Sequence, residues 1–200
     1  ESTVGQLSAM PGNESHFDNG MPAELPGLMS RADKLGAHVA VDYIIPGCPP
    51  AGVQVRAVCE ALIAGALPPA PAVLGIGEGS VCDECRLEKR GVQVTEFVRP
   101  HQIQPDASWC LLEQGLVCLG PVTSSGCGAG CPSALVGCRG CYGPAGDSRD
   151  AGAKMVAMVG GLIGSEDENE ILEAVRTLAD PLGTFYTFTL ADSILGGARR

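Results

Sequence analysis

The stretch Cys127-Gly128-Ala129-Gly130-Cys131-Pro132-Ser133-Ala134-Leu135-Val136-Gly137-Cys138-Arg139-Gly140-Cys141 decides how this chain is organised. Four cysteines, with three, six and two residues between them, stand among four glycines, and no hydrophobic period runs through them. Such a segment, crowded with glycine and cysteine and without a period, reads as part of a separate cysteine-bearing module. Upstream a second set runs as Cys82-x2-Cys85-x24-Cys110-x7-Cys118, so eight of the ten cysteines lie between Cys82 and Cys141.

Eight is twice four, and tetrahedral iron or zinc takes four thiolates per site. A Cys-x2-Cys pair on a turn offers two sulfurs to one site without straining the chain. Three other readings compete. Disulfides suit an even count, but 200 residues can bury a core without such staples, and the amino terminus carries no basic, then apolar, then cleavable segment that would signal secretion. Two all-thiolate zinc sites satisfy the count equally well. Unliganded thiols leave the spacing unexplained. Iron-sulfur chemistry leads because the segment is rich in glycine, which lets backbone amides approach inorganic sulfide and tune its potential, whereas zinc has no sulfide to cover. Cys131-Pro132 and Cys141-Tyr142-Gly143-Pro144 are also similar to the proline that follows a ligand cysteine in ferredoxin-type runs.

Outward from this module the chain is more regular. Residues from Glu1 to about Leu35 read as loop or a peripheral extension. His38–Ile45 reads as a buried strand stopped by Pro46-Gly47, and Cys48 sits on that turn. Val55, Val58, Cys59, Leu62 and Ala66 fall at helical spacing on a helix from about Ala51 to Ala66, which makes Cys59 a core thiol. Beyond the module, Met155, Met158, Val159 and Leu162 predict a helix over about 150–163. Ser165 and Glu168 form a capping-box pattern ahead of Ile171, Leu172, Val175 and Leu178, and Thr184–Leu190 reads as β-rich.

Composition excludes several functions. A formal net charge of −10 with 4% aromatics leaves neither a basic stripe for phosphates nor stacking platforms for bases, so no nucleic-acid partner is expected. No run approaches the roughly 20 apolar residues of a membrane span, and a soluble chain is expected. Gly75-x-Gly77-x-Gly79 lacks the trailing Gly-Lys of a phosphate loop. His16, His38 and His101 stand apart, and no serine, histidine and carboxylate set offers a nucleophile. No catalytic residue is assigned.

Val41-Asp42-Tyr43-Ile44-Ile45-Pro46-Gly47-Cys48-Pro49-Pro50 resembles the proximal-cluster segment of [NiFe]-hydrogenase small subunits. The likeness continues through Ser80-Val81-Cys82-Asp83-Glu84-Cys85, Cys110-Leu111-Leu112-Glu113-Gln114-Gly115, Cys118-Leu119-Gly120-Pro121-Val122-Thr123 and Cys138-Arg139-Gly140-Cys141-Tyr142-Gly143-Pro144. Gly152-Ala153-Lys154-Met155 and Asp180-Pro181-Leu182-Gly183-Thr184-Phe185-Tyr186 are similar to the carboxy-terminal part of the cytoplasmic group, which includes the F420-non-reducing and F420-reducing types.

The resemblance implies a distal [4Fe-4S] cluster on Cys82, Cys85, Cys110 and Cys118, and a medial one on Cys127, Cys131, Cys138 and Cys141. The family often has histidine where Cys82 stands. Cys48 would be one ligand of a proximal [4Fe-4S] cluster whose other ligands come from outside this segment, since no cysteine precedes it. The implied fold is irregular α+β: residues 1–69 as the remnant of a flavodoxin-like domain, 70–148 as a two-cluster module, and 149–200 as a helical segment. The implied activity is electron transfer in the cytoplasm. The partners would be a [NiFe]-hydrogenase large subunit that splits hydrogen and an acceptor subunit carrying flavin or an iron-sulfur centre. The runner-up readings are an iron-sulfur subunit of a related redox complex without hydrogenase activity, and a zinc-stabilised interaction module.

Overall fold

Glycine and proline punctuate the chain so often that its regular elements are short, and loops carry most of the backbone. The computed structural model describes residues 14–16, 22–24, 33–146 and 148–197. The chain divides into two compact units, Glu1–His38 and Val39–Arg200. In the first, strands β1 (Glu14–His16) and β2 (Pro22–Glu24) pair antiparallel with Ser15 opposite Ala23, where sequence predicts only loop. Pairing of backbone groups needs no hydrophobic period, so three-residue strands of this kind leave no pattern in a sequence. The rest of the loop prediction before Asp33 lies outside the described residues.

The second unit opens with strand β3 (Tyr43–Ile44), helix α1 (Gly52–Ile63) and strand β4 (Ala72–Val73), a β-α-β crossover in which Tyr43 stands opposite Ala72 and Ile44 opposite Val73, in parallel. Two expectations are corrected here. The apolar stripe of α1 is not buried: Leu62 and Ile63 are 63% and 86% exposed, and Cys59 is an exposed thiol. The strand is likewise uncovered at Ile44. The one buried side chain of α1 is polar Gln54, whose amide nitrogen donates to the carbonyls of Leu74 and Gly75 at 3.0 and 3.1 Å. Helical periodicity reports which face is apolar, and other segments decide whether that face is covered.

The cysteine segment contributes helix α2 (Val81–Glu84), a 3-10 turn at Gly120–Val122 and helix α3 (Gly130–Ser133). Ser80 and Asp83 close a capping box at the start of α2, each side chain accepting from the other's backbone amide. Isolated bridges Ser80 to Ser124 and Thr123 to Pro144 stitch the loops together.

Helix α4 (Ala151–Leu162) matches its prediction, with Met155 and Val159 buried and Asp150 as its N-cap. Burial of Met155 alone stabilises by about 2 kcal/mol. Helix α5 (Glu168–Arg176) is capped by Asp167 instead of Ser165, because the Asp167 carboxylate, adjacent to the first turn, reaches the amides of Asn169 and Glu170. Its inner face uses Ala174 and Ile171, while Leu172 and Val175 are exposed. The expected β-rich stretch at 184–190 is instead helix α6 (Pro181–Phe185) leading into a 3-10 turn at Leu190–Asp192, with helix α7 (Ile194–Gly197) beyond. Asp180 caps α6 and Pro181 sits at its first turn, where its missing N–H costs nothing.

The core joins the module to these helices. Val81, Leu112, Leu119, Val122, Met155, Val159 and Phe185 belong to one buried cluster that also contains Cys118 and Cys138. No described helix is long and apolar enough to cross a membrane.

Candidate metal centres

Cys82, Cys85, Cys110 and Cys118 line one cavity of about 170 Å³, walled by apolar side chains that include Val81, Leu111, Leu112 and Met158. Helix α2 places Cys82, and its end places Cys85. Cys110 is anchored by its amide, which donates to the Glu88 carbonyl at 2.8 Å, while Glu113 accepts from the amides of Arg90 and Gly91. Gly120 leaves space where a Cβ would stand 3.2 Å from Cys82 Sγ and 3.5 Å from Cys118 Sγ. The absence of that carbon is what lets two sulfurs share this side of the cavity. Burial pushes the Cys82 thiol up to about 11 and the Cys118 thiol up to about 12. As thiolates are the ligands, loading such a site with metal releases protons.

The second group gathers around α3. Cys138 is close enough to Cys127 and Cys131 to feel their charge, and so is Cys141. Burial raises the thiols of both Cys138 and Cys141 above the ordinary range. Gly126, Gly128, Ala129 and Gly140 all have positive φ, so the backbone turns sharply beside these cysteines, a conformation that can point successive amides toward one centre. The Cys138 thiol meets Thr123 Oγ1 at 3.7 Å, and that hydroxyl donates to the Leu119 carbonyl at 2.6 Å.

Backbone amides join the two groups and the Cys48 turn. The Cys138 amide donates to Cys118 Sγ at 3.2 Å, linking the second group to the first. The Gly47 amide donates to the Cys141 carbonyl at 3.2 Å, linking the Cys48 turn to the second group. Cys48 itself is exposed. The order along the molecule is therefore Cys48, then the group at 127–141, then the group at 82–118.

Among the described residues, no three His, Cys, Asp or Glu side chains stand together as a site for one metal ion. A single zinc needs four sulfurs at about 2.3 Å from one point. Around the first group the four sulfurs line one cavity. The chemistry of the donors, the cradle at Gly120 and the amides aimed at sulfur fit an iron-sulfur cluster. Of the histidines, His38 pairs with Asp33 at 3.6 Å.

Several contributors leave no mark in the sequence. Glu84 accepts from the amides of Gly126 and Gly128, more than forty residues away. The Tyr142 hydroxyl donates to Gln54 Oε1 at 2.6 Å and ties α1 to the Cys141 turn.

No protein-family model matches the chain. It is 36% identical over 181 residues to an F420-non-reducing hydrogenase subunit of Methanothermobacter thermautotrophicus, covering 88% of this chain and 57% of that protein. It is 38% identical over 153 residues to an F420-non-reducing hydrogenase iron-sulfur subunit of Archaeoglobus profundus, covering 74% of this chain and 47% of that protein. The chain thus spans about half the length of these relatives. Against an F420-non-reducing hydrogenase subunit of Methanothermus fervidus it is 40% identical over 118 residues, covering 56% of this chain and 93% of that protein. The chain belongs to the family that these F420-non-reducing hydrogenase subunits form.

Proposed function

We propose that this chain is the electron-relaying small subunit of a cytoplasmic [NiFe]-hydrogenase, with hydrogen split in a separate large subunit. The observation that carries the reading is the ordered series of cysteines, Cys48 and then two groups of four, joined by the Gly47 amide on the Cys141 carbonyl and the Cys138 amide on Cys118. When bound, [4Fe-4S] clusters would supply one-electron redox chemistry at these positions. The protein's part is to hold them. Cys82, Cys85, Cys110 and Cys118 would ligate one cluster, Cys127, Cys131, Cys138 and Cys141 a second, and Cys48 would give one ligand to a third completed by residues outside this segment.

The surrounding residues set how readily each position accepts an electron. Apolar walls remove water, and amides aimed at sulfur stabilise added negative charge. Each group has one buried cysteine, Cys118 and Cys138, but the second also has the exposed Cys131, and Cys48 is exposed. The parallel β3-α1-β4 unit, which runs to Val73 and so just past residues 1–69, and its uncovered apolar face support the flavodoxin-like reading, because parallel sheets are normally covered on both faces. The electron acceptor would be a flavin or iron-sulfur subunit bound elsewhere in the complex.

Anaerobic purification with metal and acid-labile sulfide analysis tests the reading. The expected result is about eight irons with matching sulfide for the two complete sites, and a co-purifying subunit that bears nickel. About two zinc ions per chain with no sulfide would refute it.

A further inference from the structure

Glu84 lies between the two ligand candidates of a Cys-x2-Cys pair, yet its carboxylate serves the other cysteine group. One oxygen accepts from the Gly126 amide at 2.9 Å and the other from the Gly128 amide at 3.0 Å. Those amides flank Cys127. Both glycines have positive φ, +120° and +66°, and a Cβ at Gly126 would stand 2.3 Å from the Gly75 carbonyl oxygen. The Cys127 loop is thus pinned between a backbone wall on one side and a two-pronged carboxylate on the other. Amide donors gripping a carboxylate are among the stronger hydrogen bonds, each contributing more than a neutral pair. Glu84 is the last residue of α2, whose start is locked by the capping box of Ser80 and Asp83, so the grip transmits the position of Cys82 and Cys85 to Cys127.

Resting on the iron-sulfur reading above, we infer that Glu84 is a positioning residue for the second cluster: it fixes Cys127 in register with the first site, and its negative charge lowers the reduction potential of the second. The direction follows from electrostatics. Reduction adds an electron, and a carboxylate held beside a ligand loop disfavours added negative charge. The carboxylate also takes up two amides that would otherwise be free to turn toward sulfur, which acts in the same direction.

The test uses the whole complex, purified anaerobically, in four forms: parent, Glu84→Gln, Glu84→Ala, and Glu173→Gln as a control at an exposed position on α5. The readouts are iron and sulfide content and a redox titration followed by electron paramagnetic resonance. Glu84→Gln keeps both clusters, and one midpoint moves to a more positive potential while the other stays. Glu84→Ala loses about four irons and four sulfides, one cluster's worth, and the cluster that disappears is the one whose midpoint moved in Glu84→Gln. Glu173→Gln moves nothing. Full iron with both midpoints unmoved in both Glu84 variants overturns the inference alone, as does loss of both clusters together in Glu84→Ala. A parent complex without acid-labile sulfide overturns the iron-sulfur reading and this inference with it.

Discussion

Replacing Gly120 by alanine separates the sulfur cradle from ordinary packing. Gly120 lies in a 3-10 turn and is not among the residues with positive φ, so alanine meets no backbone penalty there. By restricting the unfolded chain, such a change stabilises by about 0.4–1 kcal/mol. Its new methyl group, however, would stand 3.2 Å from Cys82 Sγ and 3.5 Å from Cys118 Sγ. Both distances are at or inside the roughly 3.5–4.0 Å separation at which non-bonded carbon contacts are most favourable. Cys82 must retreat by a few tenths of an ångström, and a side chain forced about 30° off its rotamer costs about 0.5–1.5 kcal/mol. The retreat displaces a ligand from its position around the cavity, so the first site fills poorly while the second is untouched. Iron and sulfide per chain should fall by about half, with one resonance signal lost and the other retained. The two stability terms nearly cancel, so thermal unfolding of the metal-free chain should change little. Full iron with both signals unchanged would refute the reasoning, because the cradle would then be incidental.

Three further outcomes follow from the same structure. Cys85→Ala should remove only the cluster of the 82–118 group, checked by iron analysis, and retention of both signals would break the proposed partition. Gln54→Leu deletes the acceptor of the Tyr142 hydroxyl and the donor to Leu74 and Gly75, and should cost about 1–3 kcal/mol in urea unfolding because a buried hydroxyl is left unpaired. Burial raises the Asp150 carboxyl, but hydrogen bonds from the Ala153 and Ile194 amides and from Tyr186 outweigh it and hold the group below its ordinary value. A depressed carboxyl contributes stability that is present above the unfolded value of about 3.8 and is lost as pH falls through the lower folded value. Asp150→Asn should therefore lower the melting temperature at neutral pH, and the difference from the parent should shrink below about pH 4.

Cysteine spacing alone, Cys82-x2-Cys85 and Cys138-x2-Cys141 with four thiols between, was sufficient to suggest two sites of four sulfurs, because a two-residue loop between cysteines keeps both near one site. Helix α4 was equally legible, since its apolar stripe faces a core that covers it. Where coverage fails, the same kind of stripe misleads: Cys59 and Leu62 on α1 have helical spacing but lie exposed. The stretch after Asp180 misled for a different reason, as β-branched and aromatic side chains there pack as short helical turns under tertiary constraint.

What only tertiary structure decided is how the groups meet. The Cys138 amide on Cys118, the Gly47 amide on the Cys141 carbonyl, and Glu84 across the Cys127 loop join residues far apart in the chain. Hydrogen bonds between distant segments leave no period or spacing in a sequence, because their geometry depends on where the intervening chain folds. The residue types determined that this protein carries thiols enough for two four-sulfur groups. The fold determined that backbone hydrogen bonds link Cys138 to Cys118 and the turn carrying Cys48 to Cys141.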